Sequence, residues 1–185
     1  EGVLNECIKL NDIKYLPSNE NKFQYYQKTF FLCKSDITSN IYDSLISITS
    51  NSETINLPPF IKIIFPNMFS KCTSLKQIIL PSSMTEIGDY AFNDCVSLKQ
   101  IAIPSSIIEI KSYAFSGCLS LTQITIPPSV TKIGSDAFSF CSSLKQIAIP
   151  SSVTEIGSNA FYECSSLKQI TIPSTFNPKI IGLYS

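Results

Sequence analysis

Seven cysteines are the residues of this chain best able to do chemistry, and most of them lie in one series. Cys72, Cys95, Cys118, Cys141 and Cys164 recur every 23 residues, with Cys7 and Cys33 outside the series. A reactive thiolate needs a neighbouring base or cation, and a zinc site needs ligands that converge. The chain has no His, and no two cysteines form a close pair, so neither chemistry is expected and no cofactor is implied. An odd total does not read as a disulfide framework. Parallel coils stack about 4.8 Å apart, so equivalent cysteines approach one another, but bridging them would distort a regular ladder. The series reads as a column of buried free thiols.

The exposed repeat positions also form columns. Lys76, Lys99, Lys145 and Lys168 share one, interrupted by Thr122, and Gln77, Gln100, Gln123, Gln146 and Gln169 share the next. Ile79, Ala102, Thr125, Ala148 and Thr171 make a third, mostly small. Two readings stand side by side. In one, stacked Gln amides bond to each other and the lysines keep the sheet soluble. In the other, the face is a basic, flat groove for an acidic protein segment or glycan. Nucleic acid is not expected, because no aromatic residue is interleaved with the lysines for base stacking. Glu86, Glu109, Lys132 and Glu155 make a further column, in which Lys132 is expected to sit between two glutamates and relieve like-charge stacking. Lys62-Ile63-Ile64-Phe65 resembles the short docking motif of type-one serine/threonine phosphatase regulators. Ile64, however, is in phase with Ile87 and Ile110, which belong to the core, and a docking strand must be free to pair.

The elements that carry these columns follow from the same period. Leu98-Lys99-Gln100-Ile101-Ala102-Ile103-Pro104 alternates apolar and polar residues before a proline stop, which predicts a short strand with Ile101 and Ile103 inward. Serine pairs such as Ser105 and Ser106 make a corner. A second apolar pair follows, as in Val130 and Ile133, and Gly88, Gly134 and Gly157 permit a turn where Lys111 departs from the pattern. Ala-Phe-x-x-Cys completes the coil and predicts one helical or 3-10 turn. Ordering 23 residues costs about 1.5 kcal/mol each, more than one coil's few buried side chains return, so stability must come from stacking coil on coil.

The expected architecture is therefore a β-rich right-handed solenoid of the α/β class. A parallel sheet of about six coils runs along one face, with short strands on a second. Residues 52–175 keep the period. Residues 1–51 do not, and read as an N-terminal cap that could contain a degenerate repeat. Strand-like pieces are expected around Ile8 to Leu16 and a short helix near Ile41 to Ile48, with Tyr25, Tyr26, Phe30 and Phe31 available to cover a coil end. Residues 176–185 form a thin C-terminal cap through Phe176, Ile180, Ile181, Leu183 and Tyr184, which leaves homodimerisation through the solenoid ends open.

Fourteen basic residues balance fourteen acidic ones, so no global field draws the chain to nucleic acid or an anionic membrane. No apolar run reaches the roughly 18 residues of a membrane span, so membrane insertion is not expected. The pattern Leu-x-x-Ile-x-Ile-Pro-x-x-Val-x-x-Ile-Gly-x-x-Ala-Phe-x-x-Cys, as in Leu144 to Cys164, resembles the BspA-like leucine-rich repeats over about residues 52 to 175. The resemblance implies a leucine-rich repeat solenoid that binds another protein, as a scaffold inside cells or as an adhesin for host matrix proteins at the cell surface. Catalysis is not expected. Free thiols and the lack of any Asn-x-Ser/Thr acceptor favour the cytoplasm, whereas the family's surface members favour the outside.

Overall fold

The structure is a computed structural model that describes residues 52–174 throughout and, before them, three strands as backbone. Those strands are β1 (Phe23–Tyr26), β2 (Phe30–Cys33) and β3 (Ser44–Ile48). The solenoid follows with β4 (Thr54–Asn56), β5 (Ile63–Ile64), β6 (Gln77–Ile79), β7 (Glu86–Ile87) and β8 (Gln100–Ile101). It continues through β9 (Glu109–Ile110), β10 (Lys132–Ile133), β11 (Gln146–Ala148), β12 (Glu155–Ile156) and β13 (Gln169–Thr171).

The chain winds through about five turns. Every pairing between coils is parallel and in repeat register, as in Ile78 with Ile101 and Ile133 with Ile156. On the first face β4, β6 and β8 form one sheet and β11 and β13 another, with a single bridge from Ala102 to Thr125 between them. The second face carries β5–β7 and β9–β10–β12.

The core is the predicted set of columns. Leu75, Leu98, Leu121 and Leu144 are fully enclosed beside the isoleucines and the cysteines. Phe69, Phe92, Phe115, Phe138 and Phe161 form an unbroken stack with ring centroids 5.2, 5.4, 5.5 and 5.6 Å apart and nearly parallel planes. Each ring lies against the next coil's ring, so burial of one turn depends on its neighbours. The corner serines contribute too, because Ser129 and Ser152 donate their hydroxyls to the carbonyls of Ile107 and Val130 in the preceding coil, both at 2.7 Å.

Two expectations are corrected. Among the described residues Ala-Phe-x-x-Cys is neither helix nor 3-10 turn, but a run of β-turns. Alternate N–H groups close those turns, as in Ala91 to Gly88 and Cys95 to Phe92. The intervening N–H groups of Tyr90, Phe92 and Asp94 instead reach the carbonyls of Ser112, Ala114 and Ser116 in the next coil. A helix would use all of them internally, whereas this path makes a third ladder between coils. It requires left-handed backbone at Tyr90 (φ 57°) and Asp94 (φ 57°), and the equivalent residues of the other turns share it.

The second correction concerns Ile41 to Ile48, where the expected helix is the strand β3. It pairs antiparallel with β2 and parallel with β5, Leu45 lying opposite Ile64. The alternation and β-branching of Ser44-Leu45-Ile46-Ser47-Ile48 suit a strand, and the open edge of β5 supplies the partner. Part of the region 1–51 thus extends the second face. The expected pieces at Ile8 to Leu16, the side chains of Tyr25, Tyr26, Phe30 and Phe31, and the cap at 176–185 lie outside the described residues.

Candidate interaction surface

The pairing registers bring the predicted columns onto one face. Gln77 lies opposite Gln100, and Gln146 opposite Gln169, while Ala148 lies opposite Thr171. Lys76, Lys99, Thr122, Lys145 and Lys168 are all exposed beside them, as are Gln100, Gln123, Gln146 and Gln169, with Gln77 half-buried. Strand alternation explains the placement, since the isoleucines between these positions point into the core. Gln77, Gln100 and Gln123, with Ala102 and Thr125, line a shallow depression of about 170 Å³.

The expected ladder of Gln amides does not form. Among the described residues no Gln side chain bonds to another; Gln169 Nε2 donates to Thr171 Oγ1, 3.5 Å away in the same strand. Gln77 and Gln100, and Gln146 and Gln169, lie in register without bonding, so the ladder is missing even where the strands are fully paired.

The first coil supplies residues that the sequence reading missed. Glu53 reaches Lys76, its Oε1 2.6 Å from Nζ, so that lysine's charge is already matched. Asn56 extends the small-residue column opposite Ile79. The 23-residue phase between Glu53 and Lys76 was a usable signal, obscured by the first coil's missing leucine.

On the second face both Lys111 and Lys132 are paired within the chain, while Glu86 makes no ion pair among the described residues. Lys132 lies 3.0 Å from Glu155 and 3.9 Å from Glu109, as the column swap implied. Lys111 reaches back to Glu109 at 2.8 Å, a role the sequence did not reveal. Hydrogen bonds to these carboxylates raise the pKa of both lysines, Glu109 acting on Lys111 and Glu155 on Lys132. Nearby, the rings of Tyr90 and Tyr113 stack at 4.5 Å, and a hydrogen bond to Asp136 raises the Tyr113 pKa.

The Lys62-Ile63-Ile64-Phe65 motif is not presented for docking. Ile64 is fully buried, and β5 is paired on both sides, by β3 and β7.

The cysteine series is a column of free thiols, with Cys95, Cys118, Cys141 and Cys164 buried and Cys72 partly so. Each buried thiol donates to a phenylalanine carbonyl of the preceding coil: Cys95 to Phe69 at 3.0 Å, Cys118 to Phe92 at 3.3 Å, Cys141 to Phe115 at 3.2 Å and Cys164 to Phe138 at 3.1 Å. Burial pushes all four thiols well up, that of Cys164 to about 11. These are structural thiols. The Cys7 and Cys33 side chains lie outside the described residues, and among those described no cluster of His, Cys, Asp or Glu could hold a metal ion. No described helix is long and apolar enough to cross a membrane.

Three interlocked backbone ladders around an apolar core define a repeat solenoid. The chain belongs to the BspA type leucine-rich repeat family, whose model matches residues 19–118 and 62–184 in six copies. Three solved structures are similar to it. A leucine-rich cell surface protein from Faecalibacterium prausnitzii is 32% identical (TM-score 0.77), the match covering 89% of this chain and 43% of that one. A leucine-rich repeat protein from Bacteroides ovatus is 29% identical (TM-score 0.70), over 85% of this chain and 41% of that one. The T. pallidum leucine-rich repeat protein is 31% identical (TM-score 0.67), over 86% and 72%. The chain thus spans less than half the length of the first two. No curated protein matches it.

Proposed function

We propose that this chain is a non-catalytic protein-interaction module that binds its partner through the lysine- and glutamine-bearing face. One observation carries the reading. On the second face Lys111 and Lys132 are each matched by a glutamate of the chain, whereas Lys99, Lys145 and Lys168 and the amides of Gln100, Gln123 and Gln146 have no side-chain partner among the described residues. A row of unmatched polar groups in register on a rigid scaffold supports recognition of another chain. The description of the Faecalibacterium relative as a cell surface protein favours an adhesin over an intracellular scaffold. The phosphatase-docking alternative has no support, because Ile64 is buried.

The test is site-specific photocrosslinking in the native cell, with the crosslinker placed at Gln123 on the proposed face, Thr154 on the second face or Glu163 on the turn face. The expected result is protease-sensitive adducts through Gln123 alone. Adducts only through Thr154 or Glu163 would exclude the proposed surface. Labelling of intact against permeabilised cells separates adhesin from scaffold.

A further inference from the structure

The net neutrality of the chain hides a segregation of its charge. Among the described residues Glu53 is the only carboxylate on the first face, and Lys76 takes it. Glu86, Glu109 and Glu155 lie on the second strands, and Asp89, Asp94, Asp136 and Glu163 on the turns. Among the described residues Lys99, Lys145 and Lys168 make no ion pair and share one column, beside Gln100, Gln123 and Gln146, whose amides have no side-chain partner, and the low column of Ala102, Thr125 and Ala148.

Resting on the reading of this face as the binding surface, we propose that its occupant is an extended acidic polypeptide segment laid along the stacking direction. Its carboxylates would meet Lys99, Lys145 and Lys168, and its backbone would lie over the small column. The depression of about 170 Å³ at Gln77, Gln100, Ala102, Gln123 and Thr125 gives a main chain room to approach. Each Gln amide carries both donors and an acceptor, which suits a peptide backbone that presents N–H and C=O in turn. A sulfated glycan offers the lysines its anions but lacks the regular alternation of donor and acceptor that a main chain lays along the Gln row, and the face has no aromatic platform for nucleobases. Side chains on one edge of an extended segment recur at about 6.8 Å and coils at about 4.8 Å, a mismatch that flexible lysine stems absorb.

The test is fluorescence anisotropy with a labelled peptide of alternating Glu and Ser. Its Gln–Ser counterpart, a heparin-type polysaccharide and a single-stranded oligonucleotide are compared with it, and native folding of every variant is checked by thiol protection. Binding of the Glu–Ser peptide alone is expected. Lys99→Glu with Lys145→Glu should weaken it about tenfold or more, corresponding to roughly 1.4 kcal/mol. Ala102→Phe, which leaves the charge alone and fills the channel, should weaken it too. Equal or tighter binding of the polysaccharide or oligonucleotide would reduce the face to a general polyanion surface and overturn the proposal, as would indifference to Ala102→Phe. Failure of the peptide to bind while Gln123 still crosslinks overturns the acidic partner and leaves the module reading standing; loss of Gln123 adducts as well overturns both.

Discussion

Lys111 and Gly134 occupy the same repeat position in adjacent coils, yet only the glycine donates its N–H to the coil before it, reaching the Ile110 carbonyl at 2.7 Å. Gly88 and Gly157 make the same bond, to Ile64 at 2.9 Å and Ile133 at 2.7 Å. A Cβ added to Gly134 would stand 2.5 Å from the Ser112 nitrogen, which shows how closely the coils approach at this position. Lys111 carries that Cβ, and the second face parts there, between β7 and β9. Ile108, in the same coil, also lacks the hydroxyl that Thr131 and Thr154 donate to preceding carbonyls. Gly134→Ala is therefore expected to destabilise the fold by about 1–3 kcal/mol, through backbone displacement. Lys111→Ala, where the coils are already apart, should cost within about 1 kcal/mol for the lost Glu109 contact. Denaturant titration of the two variants checks the contrast; equal losses would mean that the glycine position does not set the coil spacing.

The phenylalanine stack predicts a dependence on position. Phe115 is stacked from both sides, by Phe92 and Phe138, whereas Phe161 is stacked by Phe138 and has no second ring against it among the described residues. Phe115→Ala should cost about 3–5 kcal/mol and Phe161→Ala measurably less, because a central cavity cannot collapse while both neighbouring coils are held. Hydrogen exchange gives a second readout. The central variant should lose protection in coils on either side of the gap, and loss confined to one coil would contradict coupling through the stack.

The period made the core legible because burial repeats faithfully: one Leu, one Phe and one Cys column determine which side of each residue faces in. The turn face was not legible in the same way. Left-handed backbone falls on Lys71, Tyr90, Tyr113, Phe140 and Glu163, which do not ordinarily signal it, as well as on Asn67, Asp94, Asp136, Asn159 and Gly117, which do. It is imposed by N–H groups that reach across to the next coil, a tertiary demand that outweighs local preference. The Gln ladder was a different case. Sequence places the glutamines in one column, and the strands hold Gln77 opposite Gln100 and Gln146 opposite Gln169, yet their amides do not bond, so register by itself does not orient exposed side chains. Strand β3 was hidden because Leu45 pairs with Ile64 outside the 23-residue phase. The Lys and Gln columns are exposed on one face, as the strand alternation implied, while the pairing of Lys76 with Glu53 required the geometry.

Lys132 predicts a salt effect. Its ammonium lies between Glu109 and Glu155, and it is the lysine that breaks a column of glutamates. Lys132→Glu would stack Glu109, the new carboxylate and Glu155 in successive coils. Its thermal midpoint should fall at low ionic strength and recover much of the difference in about 1 M salt, where charges several ångströms apart are screened. A deficit unchanged by salt would assign the effect to packing.

The thiol column predicts how stability depends on pH. A buried thiol hydrogen-bonded to a neighbouring coil's carbonyl is favoured in its neutral form, and burial raises Cys95, Cys118, Cys141 and Cys164 above their ordinary value of 9.0. In the unfolded chain the thiols ionise near that ordinary value. The stabilisation is therefore complete below about pH 9 and declines as the pH rises toward the folded values, because the unfolded state releases protons that the folded state retains. Unfolding free energy should be flat in this respect from pH 6 to 8 and fall above about pH 9. Native protein at pH 8 should react slowly with a thiol reagent at all four positions. Cys164, raised least far, to about 11, and the least enclosed at 9% exposure, should react first. Replacing Cys118 and Cys141 together with Ala should flatten part of the alkaline fall while lowering stability at pH 7, since each Ala leaves a small cavity and removes a donor to Phe92 or Phe115. An alkaline fall unchanged in that double variant would assign it to other groups.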